Sequence, residues 1–375
     1  MIGVLDEHLG YVSDPIRLEA FRTAIARSVL LGDRVADLGC GSAVLGLLCL
    51  QVGAGHVYAI DSTVAIEIAR DSLHRSGWAS QTSFIHNASY RAELPERVDV
   101  AICDHVGYFG FDYGLIAMLA DARHRFLKPG GKLVPGRLRL HIAAVESDKC
   151  HALAEGWSAP GIPREFHWLR QNGVNSKYAV NLQGADVLAG PSELACIDLY
   201  ADNPQFFSWN AELRVECDGV LHGLAGWFEC ELAEGVWMTN SPLSDQAIER
   251  CQAFFPIDQP LLVKVGELVN VTVSARPANN LIAWEVRHPA TGKRFSHSTW
   301  QGDVMMPHQL VRSHPDYVPQ LSTTARAKAL VLALCDGQRS VSEIQAAVRR
   351  EHPHLFPSEQ EIVRFVASVL RSSTE

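Results

Sequence analysis

One stretch constrains this chain more than any other: Val35 to Asp61, VADLGCGSAVLGLLCLQVGAGHVYAID, where an apolar strand runs into a glycine turn and then an apolar helix. Val35 to Leu38 reads as a short buried strand, Gly39 to Ser42 as a tight turn and Ala43 to Gln51 as a packed helix. Glycine suits that turn because a ligand lying against the backbone leaves no room for a Cβ, while the N–H groups freed at the helix start face the ligand. A second strand, His56 to Ile60, stops at Asp61. That is where a βαβ nucleotide site places the carboxylate that accepts hydrogen bonds from ribose hydroxyls, so the ligand carries a ribose.

The spacing separates two kinds of ribose ligand. A nicotinamide site spaces its glycines as G-x-G-x-x-G. Here Asp37 precedes Gly39-x-Gly41 by two residues, as in D-x-G-x-G-x-G, with Ala43 at the third glycine position. The run resembles motif I of the class I S-adenosylmethionine methyltransferases, which implies S-adenosylmethionine as cofactor, held by Asp37, Gly39, Gly41, Ser42, Asp61 and Ser62. A helix from Val64 to Ser76 and a strand from Thr82 to Ile85 follow. The next loop, Asn87-Ala88-Ser89, is where such enzymes place the partner of the adenine amino group; a side-chain oxygen of Asn87 or Ser89, or a backbone carbonyl there, would serve. Upstream, Pro15 opens an amphipathic helix with Asp14 as its N-cap and Leu18, Phe21, Ile25 and Val29 along one face. The segment HLGYVSDPIRLEAFRTAI resembles the H-x-x-M-L-x-D-x-x-R-T-x-x-Y-x-x-A-I run of the protein arginine methyltransferases. That resemblance brings His8 into the cofactor site and implies that Arg17 pairs with the carboxylate of the cofactor's methionine part, a partner that suits a guanidinium fork.

Composition narrows the partners. With 375 residues, 47% of them hydrophobic and 20% charged, the chain can bury two or three cores. A net charge of −9 argues against a nucleic-acid partner, which would need a basic stripe to displace counterions from phosphate. The nine cysteines include no C-x-x-C pair, and Cys40, Cys49, Cys103 and Cys335 fall in apolar segments. Reduced thiols, a cytoplasmic location and no metal site follow as expectations. No charged-then-apolar leader stands at Met1 and no apolar run reaches membrane-spanning length, so a soluble chain without a membrane partner is expected.

Val98 to Asp104 reads as the fourth strand, and its carboxyl end is where chemistry belongs in an open parallel sheet. Asp104-His105-Val106-Gly107-Tyr108-Phe109 resembles the S-E-x-M-G-Y start of the double-glutamate loop of the arginine methyltransferases, whose two carboxylates hold a guanidinium. By that resemblance Asp104 stands at the first glutamate and Tyr113 at the second, with Asp112 one position earlier and able to turn in. His105, as a histidine, can be neutral or charged near pH 7 and is a candidate to take a proton from the acceptor. Asp104, His105, Tyr108 and Asp112 are therefore the candidate catalytic residues. A helix from Leu115 to Phe126 leads to Lys128-Pro129-Gly130-Gly131, read as a turn before a new strand at Lys132 to Pro135.

From Arg137 onward, period-two segments such as Leu138–Ile142, Ala211–Val215 and Leu261–Val265 predict an antiparallel sheet or barrel. Cys196–Leu199, Val220–Phe228, Thr239–Pro242 and Pro260–Glu267 resemble successive landmarks of the arginine methyltransferases' β-barrel domain. Leu169–Asn175 falls where that family inserts a dimerisation arm, which makes a homodimer a candidate assembly. The T-H-W loop that should precede Gln252 reads Ile248-Glu249-Arg250, and nitrogen, oxygen and carbon all stay open as the acceptor atom. Leu321 to Leu370 carries three helical stripes, two of them opened by S-x-x-E capping boxes at Ser340–Glu343 and Ser358–Glu361. These helices read either as a cap on the barrel or as a recognition module. LVLALCDGQRSVSEIQAAV resembles the L-x-x-L-C-D-G-x-R-T-V-x-E-I signature of the PqqD-like domains, which bind precursor leader peptides by strand addition.

The fold class these readings define is α/β. A Rossmann-like class I methyltransferase domain spans residues 1–136, a β-barrel domain 137–305, a linker 306–320 and a small helical PqqD-like domain 321–375. The implied function is S-adenosylmethionine-dependent methylation of a peptide, a ribosomally made natural-product precursor whose leader segment binds residues 321–375. N-methylation of arginine or another side chain on a folded protein is one alternative, and a non-catalytic binding scaffold is the other.

Overall fold

Strands that are apolar along nearly their whole length, alternating with helices, are what a sheet buried on both faces requires. The computed structural model, which describes residues 4–304, 311–312, 314–371 and 373, builds such a sheet from the first part of the chain. Its strands are β1 (Arg34–Leu38), β2 (His56–Asp61), β3 (Thr82–His86), β4 (Val98–Cys103) and β5 (Leu127–Val134). All are parallel, in the spatial order β3-β2-β1-β4-β5. The order reverses between β1 and β4, which opens a crevice at their carboxyl ends. Around the sheet lie α1 (Val4–Ser13), α2 (Pro15–Ser28), α3 (Val44–Gln51), α4 (Ala65–Arg75) and α5 (Leu115–Arg125). Asp14 caps α2, its Oδ1 accepting from the Arg17 amide at 3.0 Å, and Pro15 occupies the first turn, where no N–H is needed.

The Pro129-Gly130-Gly131 segment does not turn into a new strand; it lies inside β5. The β4–β5 ladder slips between Val98 and Val100, and Gly131 sits where an added Cβ would press on the Asp99 carbonyl and Leu127. This is a bulge that glycine permits, so the turn residues mark a distortion of a strand rather than its start.

At Arg137 the chain leaves the parallel sheet. It continues through β6 (Arg137–Val145), β7 (Tyr178–Val180), β8 (Ser192–Asp198), β9 (Phe207–Arg214), β10 (Gly219–Ala233), β11 (Val236–Thr239), β12 (Gln252–Val263), β13 (Leu268–Arg276), β14 (Leu281–His288) and β15 (Lys293–Ser298). These strands make two antiparallel sheets, one ordered β7-β12-β10-β6-β8 with β11 paired to β10, the other β15-β14-β13-β9. Their facing sides share a core in which Phe255 of β12 meets Trp284 of β14 at 5.4 Å between ring centroids. The indole N–H of Trp284 is satisfied by the Pro256 carbonyl at 2.7 Å. The same core reaches the parallel sheet through Phe109, packed on Phe255 at 5.2 Å and against Gly226, which has no side chain to obstruct it. The loop after β4 and the antiparallel sheets are thereby fixed to one another.

The chain divides into two compact units, the first ending at Asp303 and the second beginning at Val304. Helices Thr323–Leu334, Val341–Glu351 and Glu359–Arg371 form the second, around Val331, Ile344, Val348, Ile362, Val366 and Val369. Ser340 and Glu343 make a reciprocal capping box, and Ser358 Oγ accepts from the Glu361 amide at 3.3 Å. Among the described residues of this unit there is no strand; its residues 305–310, 313, 372, 374 and 375 lie outside the described set. No described helix is long and apolar enough to cross a membrane.

Candidate active site

Three strand ends converge on one cavity of about 480 Å³. The turn after β1 contributes Gly39, Cys40, Gly41 and Ser42, the end of β2 contributes Asp61 and Thr63, and the end of β4 contributes Asp104 and His105. Asp37, Val44 and Leu45 complete the floor, while His8, Tyr11 and Arg17 come from α1 and α2, and Tyr113 from the loop before α5. The volume falls within the roughly 300–1,000 Å³ usual for cofactor pockets.

Each carboxylate in the floor has a structural duty. Asp37 Oδ2 accepts from the Gly46 amide at 2.9 Å and ties the start of α3 to β1. Burial pushes the Asp37 pKa up to about 7, with the Gly46 amide opposing and Asp61 adding to the rise. Asp61 Oδ2 accepts from the Gly41 amide at 2.8 Å, while its Oδ1 accepts from the amide and hydroxyl of Thr63, each at 2.7 Å. One aspartate thus joins the glycine turn to the end of β2. Gly39 and Gly41 have φ of +62° and +52°, and a Cβ on either would run into an imidazole, that of His105 at Gly39 and that of His8 at Gly41. Backbone freedom and close approach both demand glycine there. Ala43, at the third glycine position, also takes a left-handed conformation, with φ of +58°.

Asp104 sits under two guanidinium groups. Its Oδ2 accepts from Arg17 Nε at 2.7 Å and Arg250 Nη2 at 3.2 Å, and its Oδ1 from Arg250 Nη1 at 3.5 Å. The side chains are 10% exposed for Asp104, 4% for Arg17 and 13% for Arg250. Burial alone would raise the Asp104 pKa, yet Arg250 and Arg17 hold it below the ordinary carboxylate range. Burial likewise works against a charged Arg250, and Asp104 outweighs it, leaving the guanidinium pKa raised. Arg17 is further fixed by the Tyr11 carbonyl at 2.6 Å and by the rings of Tyr11 and Phe21.

The loop that carries Arg250 is pinned from three sides. Asp14 Oδ2, on the residue that caps α2, accepts from the Glu249 amide at 2.8 Å. Asn240, fully buried, donates to the carbonyls of Cys251 at 2.6 Å and Tyr108 at 3.0 Å. Gln252 donates to the carbonyls of Asn240 at 2.7 Å and Arg250 at 3.2 Å. A single framework therefore sets α2, the loop after β4 and the loop before β12.

Of the residues singled out from sequence, His8, Arg17, Asp37, Gly39, Gly41, Ser42, Asp61, Asp104 and His105 meet on this wall. Others stand elsewhere. Asp112 does not turn in: its Oδ2 accepts from the amides of Tyr108 at 2.9 Å and Phe109 at 2.6 Å, and its Oδ1 pairs with Lys177. Tyr108 is held by that turn and lies over Lys177, off the cavity wall. Ser62 is exposed and Thr63 lines the wall in its place. Asn87 spends its side-chain oxygen on the Ala88 amide, and Ser89 starts a short 3₁₀ turn whose carbonyl is taken by Arg125; with Ala88 they stay outside the lining. Arg250 and Tyr11 were not anticipated. The altered loop before Gln252 was the available signal, but only the fold reveals that its arginine reaches Asp104.

Comparisons with known proteins agree with this architecture. A family model for ribosomal protein L11 methyltransferase (PrmA) matches residues 20–171, and one for the arginine methyltransferase oligomerization subdomain matches residues 137–285. Relatives include a probable protein arginine N-methyltransferase 6 of Arabidopsis thaliana, 27% identical over 336 residues, covering 86% of this chain and 72% of that protein. An arginine N(omega)-methyltransferase of Streptomyces achromogenes subsp. streptozoticus is 27% identical over 267 residues, covering 69% and 73%. Among solved structures, the Trypanosoma brucei PRMT1 enzyme–prozyme heterotetrameric complex with AdoHcy superposes with a TM-score of 0.69 at 18% identity, covering 78% of this chain and 96% of that one. Arabidopsis thaliana protein arginine methyltransferase 10 gives 0.66 at 20% identity, covering 77% and 96%.

Fold and relatives together define the class: this chain is an S-adenosylmethionine-dependent methyltransferase with a Rossmann-like core, resembling the protein arginine methyltransferases. Its cofactor is S-adenosylmethionine.

Proposed function

We propose that the chain transfers the methyl group of S-adenosylmethionine to a side chain of a polypeptide. The observation that carries this reading is the shared cavity, which joins Gly39, Gly41 and Asp61 on one side to Asp104 and His105 on the other. Relatives named as protein arginine N-methyltransferases support a polypeptide acceptor. The cofactor's groups fit the donors present: lone pairs of Asp61 suit ribose hydroxyls, and Arg17 suits a carboxylate.

When bound, S-adenosylmethionine supplies a sulfonium methyl; the acceptor's lone pair forms the new bond to carbon while the sulfur–carbon pair stays on sulfur. The chain's own residues position and desolvate the acceptor, which supplies much of the rate. A proton leaving the acceptor passes to the imidazole of His105, which lines the same cavity as Asp104. Asp104 keeps Arg17 and Arg250 in place beside the transfer path.

A second reading is favoured by one feature: the three helices between Thr323 and Arg371 have their own core and a cleft lined by Ser342, Gln345, Arg349, Glu359 and Ile362. In this reading the polypeptide is a ribosomally made precursor whose leader docks on residues 321–375, raising the effective concentration of the rest at the cavity. Homodimerisation through the arm at residues 169–175 is supported by the exposed aromatic side chains of Trp157, Phe166 and Trp168 just before it.

Methyl-labelled S-adenosylmethionine incubated with the protein and an extract split into polypeptide and small-molecule fractions tests the reading. Label in the polypeptide fraction, lost with Asp104→Asn, is the expected result. Label confined to small molecules contradicts it.

A further inference from the structure

We infer that Arg250 sets the charge class of the acceptor: its guanidinium takes the carboxylate face that a guanidinium acceptor would need, so the cavity admits a side chain that arrives without positive charge. This rests on the methyl-transfer reading above and narrows its acceptor.

A guanidinium acceptor must be held by a carboxylate with lone pairs to spare, because its forked donors find their best partner there. Three carboxylates line the cavity among the described residues, and two of them, Asp37 and Asp61, belong to the glycine turn and the ribose end of it. Asp37 is occupied by the Gly46 amide and sits near neutrality. Asp61 accepts from Gly41 and Thr63. Asp104 has about four lone-pair sites and accepts three hydrogen bonds from Arg17 and Arg250. The other acidic residue of the loop, Asp112, is turned away onto Lys177, and Tyr113 stands in the wall where a second acid would be required.

Charge points the same way. The cluster of Asp104, Arg17 and Arg250, taken without the carboxylates at the ribose end, sums to one positive charge. The sulfonium adds another. An incoming guanidinium would either add a third cation to the two guanidinium groups that already share Asp104, or displace Arg250 and strand a group whose side chain is only 13% exposed. Displacement is opposed by the framework that fixes the loop, namely Asp14 on the Glu249 amide, Asn240 on the Cys251 carbonyl and Gln252 on the Arg250 carbonyl. Uncharged and anionic side chains meet neither obstacle.

Two capped amino acids of nearly identical shape isolate the charge: Nα-acetylarginine methylamide and its uncharged urea counterpart, Nα-acetylcitrulline methylamide. Their binding is measured by calorimetry on the protein saturated with S-adenosylhomocysteine, for wild type, Arg250→Gln and Arg250→Lys. The wild type is expected to favour the citrulline probe. Arg250→Gln, which frees Asp104, should shift the arginine-to-citrulline affinity ratio toward arginine by at least roughly tenfold. Arg250→Lys, which keeps the charge, should leave the wild-type preference in place. Arg250→Met replaces Arg250→Gln if the latter melts below the assay temperature. A wild type that prefers the arginine probe, a ratio that does not move in the charge-free variant, or no binding of either probe to any variant overturns the inference. Failure of the wild type to bind S-adenosylhomocysteine in the first titration would instead overturn the reading on which it rests.

Discussion

Asp37 and Asp104 are both buried carboxylates, yet their surroundings drive them in opposite directions. Burial above all pushes the Asp37 pKa up to about 7, from an ordinary aspartate value of about 4. Between those values the folded chain holds more protons than the unfolded one, so this residue's contribution to stability declines as pH rises from about 4 to 7 and is flat above. Asp37→Asn keeps an oxygen for the Gly46 amide and removes the titration. The melting temperature of wild type relative to this variant should therefore fall across that window, and a constant difference from pH 4 to 8 contradicts the assignment. Asp104, held ionised by Arg250 and Arg17, should behave as a positioning anion. Asp104→Asn is expected to reduce turnover far more than cofactor affinity, read by steady-state kinetics beside calorimetry. Equal losses in both would place Asp104 on the cofactor side. At this scale the glycines and Asp61 were legible because close approach and ribose recognition tolerate few residue types. The partners of Asp104 were not, since Arg250 lies 146 positions away in sequence. Asp112 misled for a local reason: it serves amides three and four residues before it, which spacing alone does not distinguish from a residue facing the cavity.

The elements of the parallel sheet could be read from the chain because its strands are short apolar runs, helices follow β1, β2 and β4, and Asp14 and Pro15 mark the start of α2. Pro129-Gly130-Gly131 reads as a turn by residue type, and only pairing with β4 turns it into a bulge. The antiparallel strands show their alternation but not their order, since nothing local tells β10 to lie between β6 and β12. Asn240 illustrates what that order achieves. It accepts from the Phe228 amide and donates to carbonyls in two other loops, so three backbone groups depend on one buried side chain. Asn240→Ala should cost about 1–3 kcal/mol of stability, the scale of an unsatisfied buried polar group. It should also raise the Michaelis constant for the acceptor by loosening the loop that carries Arg250. Unchanged denaturant midpoint and kinetics would show that the framework is redundant.

For the whole molecule, the division at residues 303/304 separates a catalytic body from a helical unit with its own core. Deleting residues 321–375 should leave cofactor binding intact. If that unit captures a leader, activity on a leader-bearing precursor falls through a higher Michaelis constant while a leaderless core peptide is methylated as before. A lowered melting temperature with activity reduced on every substrate favours a structural cap instead. The account as a whole stands on where the cofactor lies, and calorimetric titration of S-adenosylmethionine into wild type and Asp61→Ala addresses that most directly. One cofactor per chain is predicted for the wild type. The variant, still folded by its melting curve, should bind more weakly by about 1–3 kcal/mol, roughly 5- to 150-fold. A folded Asp61→Ala protein that binds S-adenosylmethionine as tightly as wild type would place the cofactor somewhere other than the cavity formed by Gly39, Gly41 and Asp61.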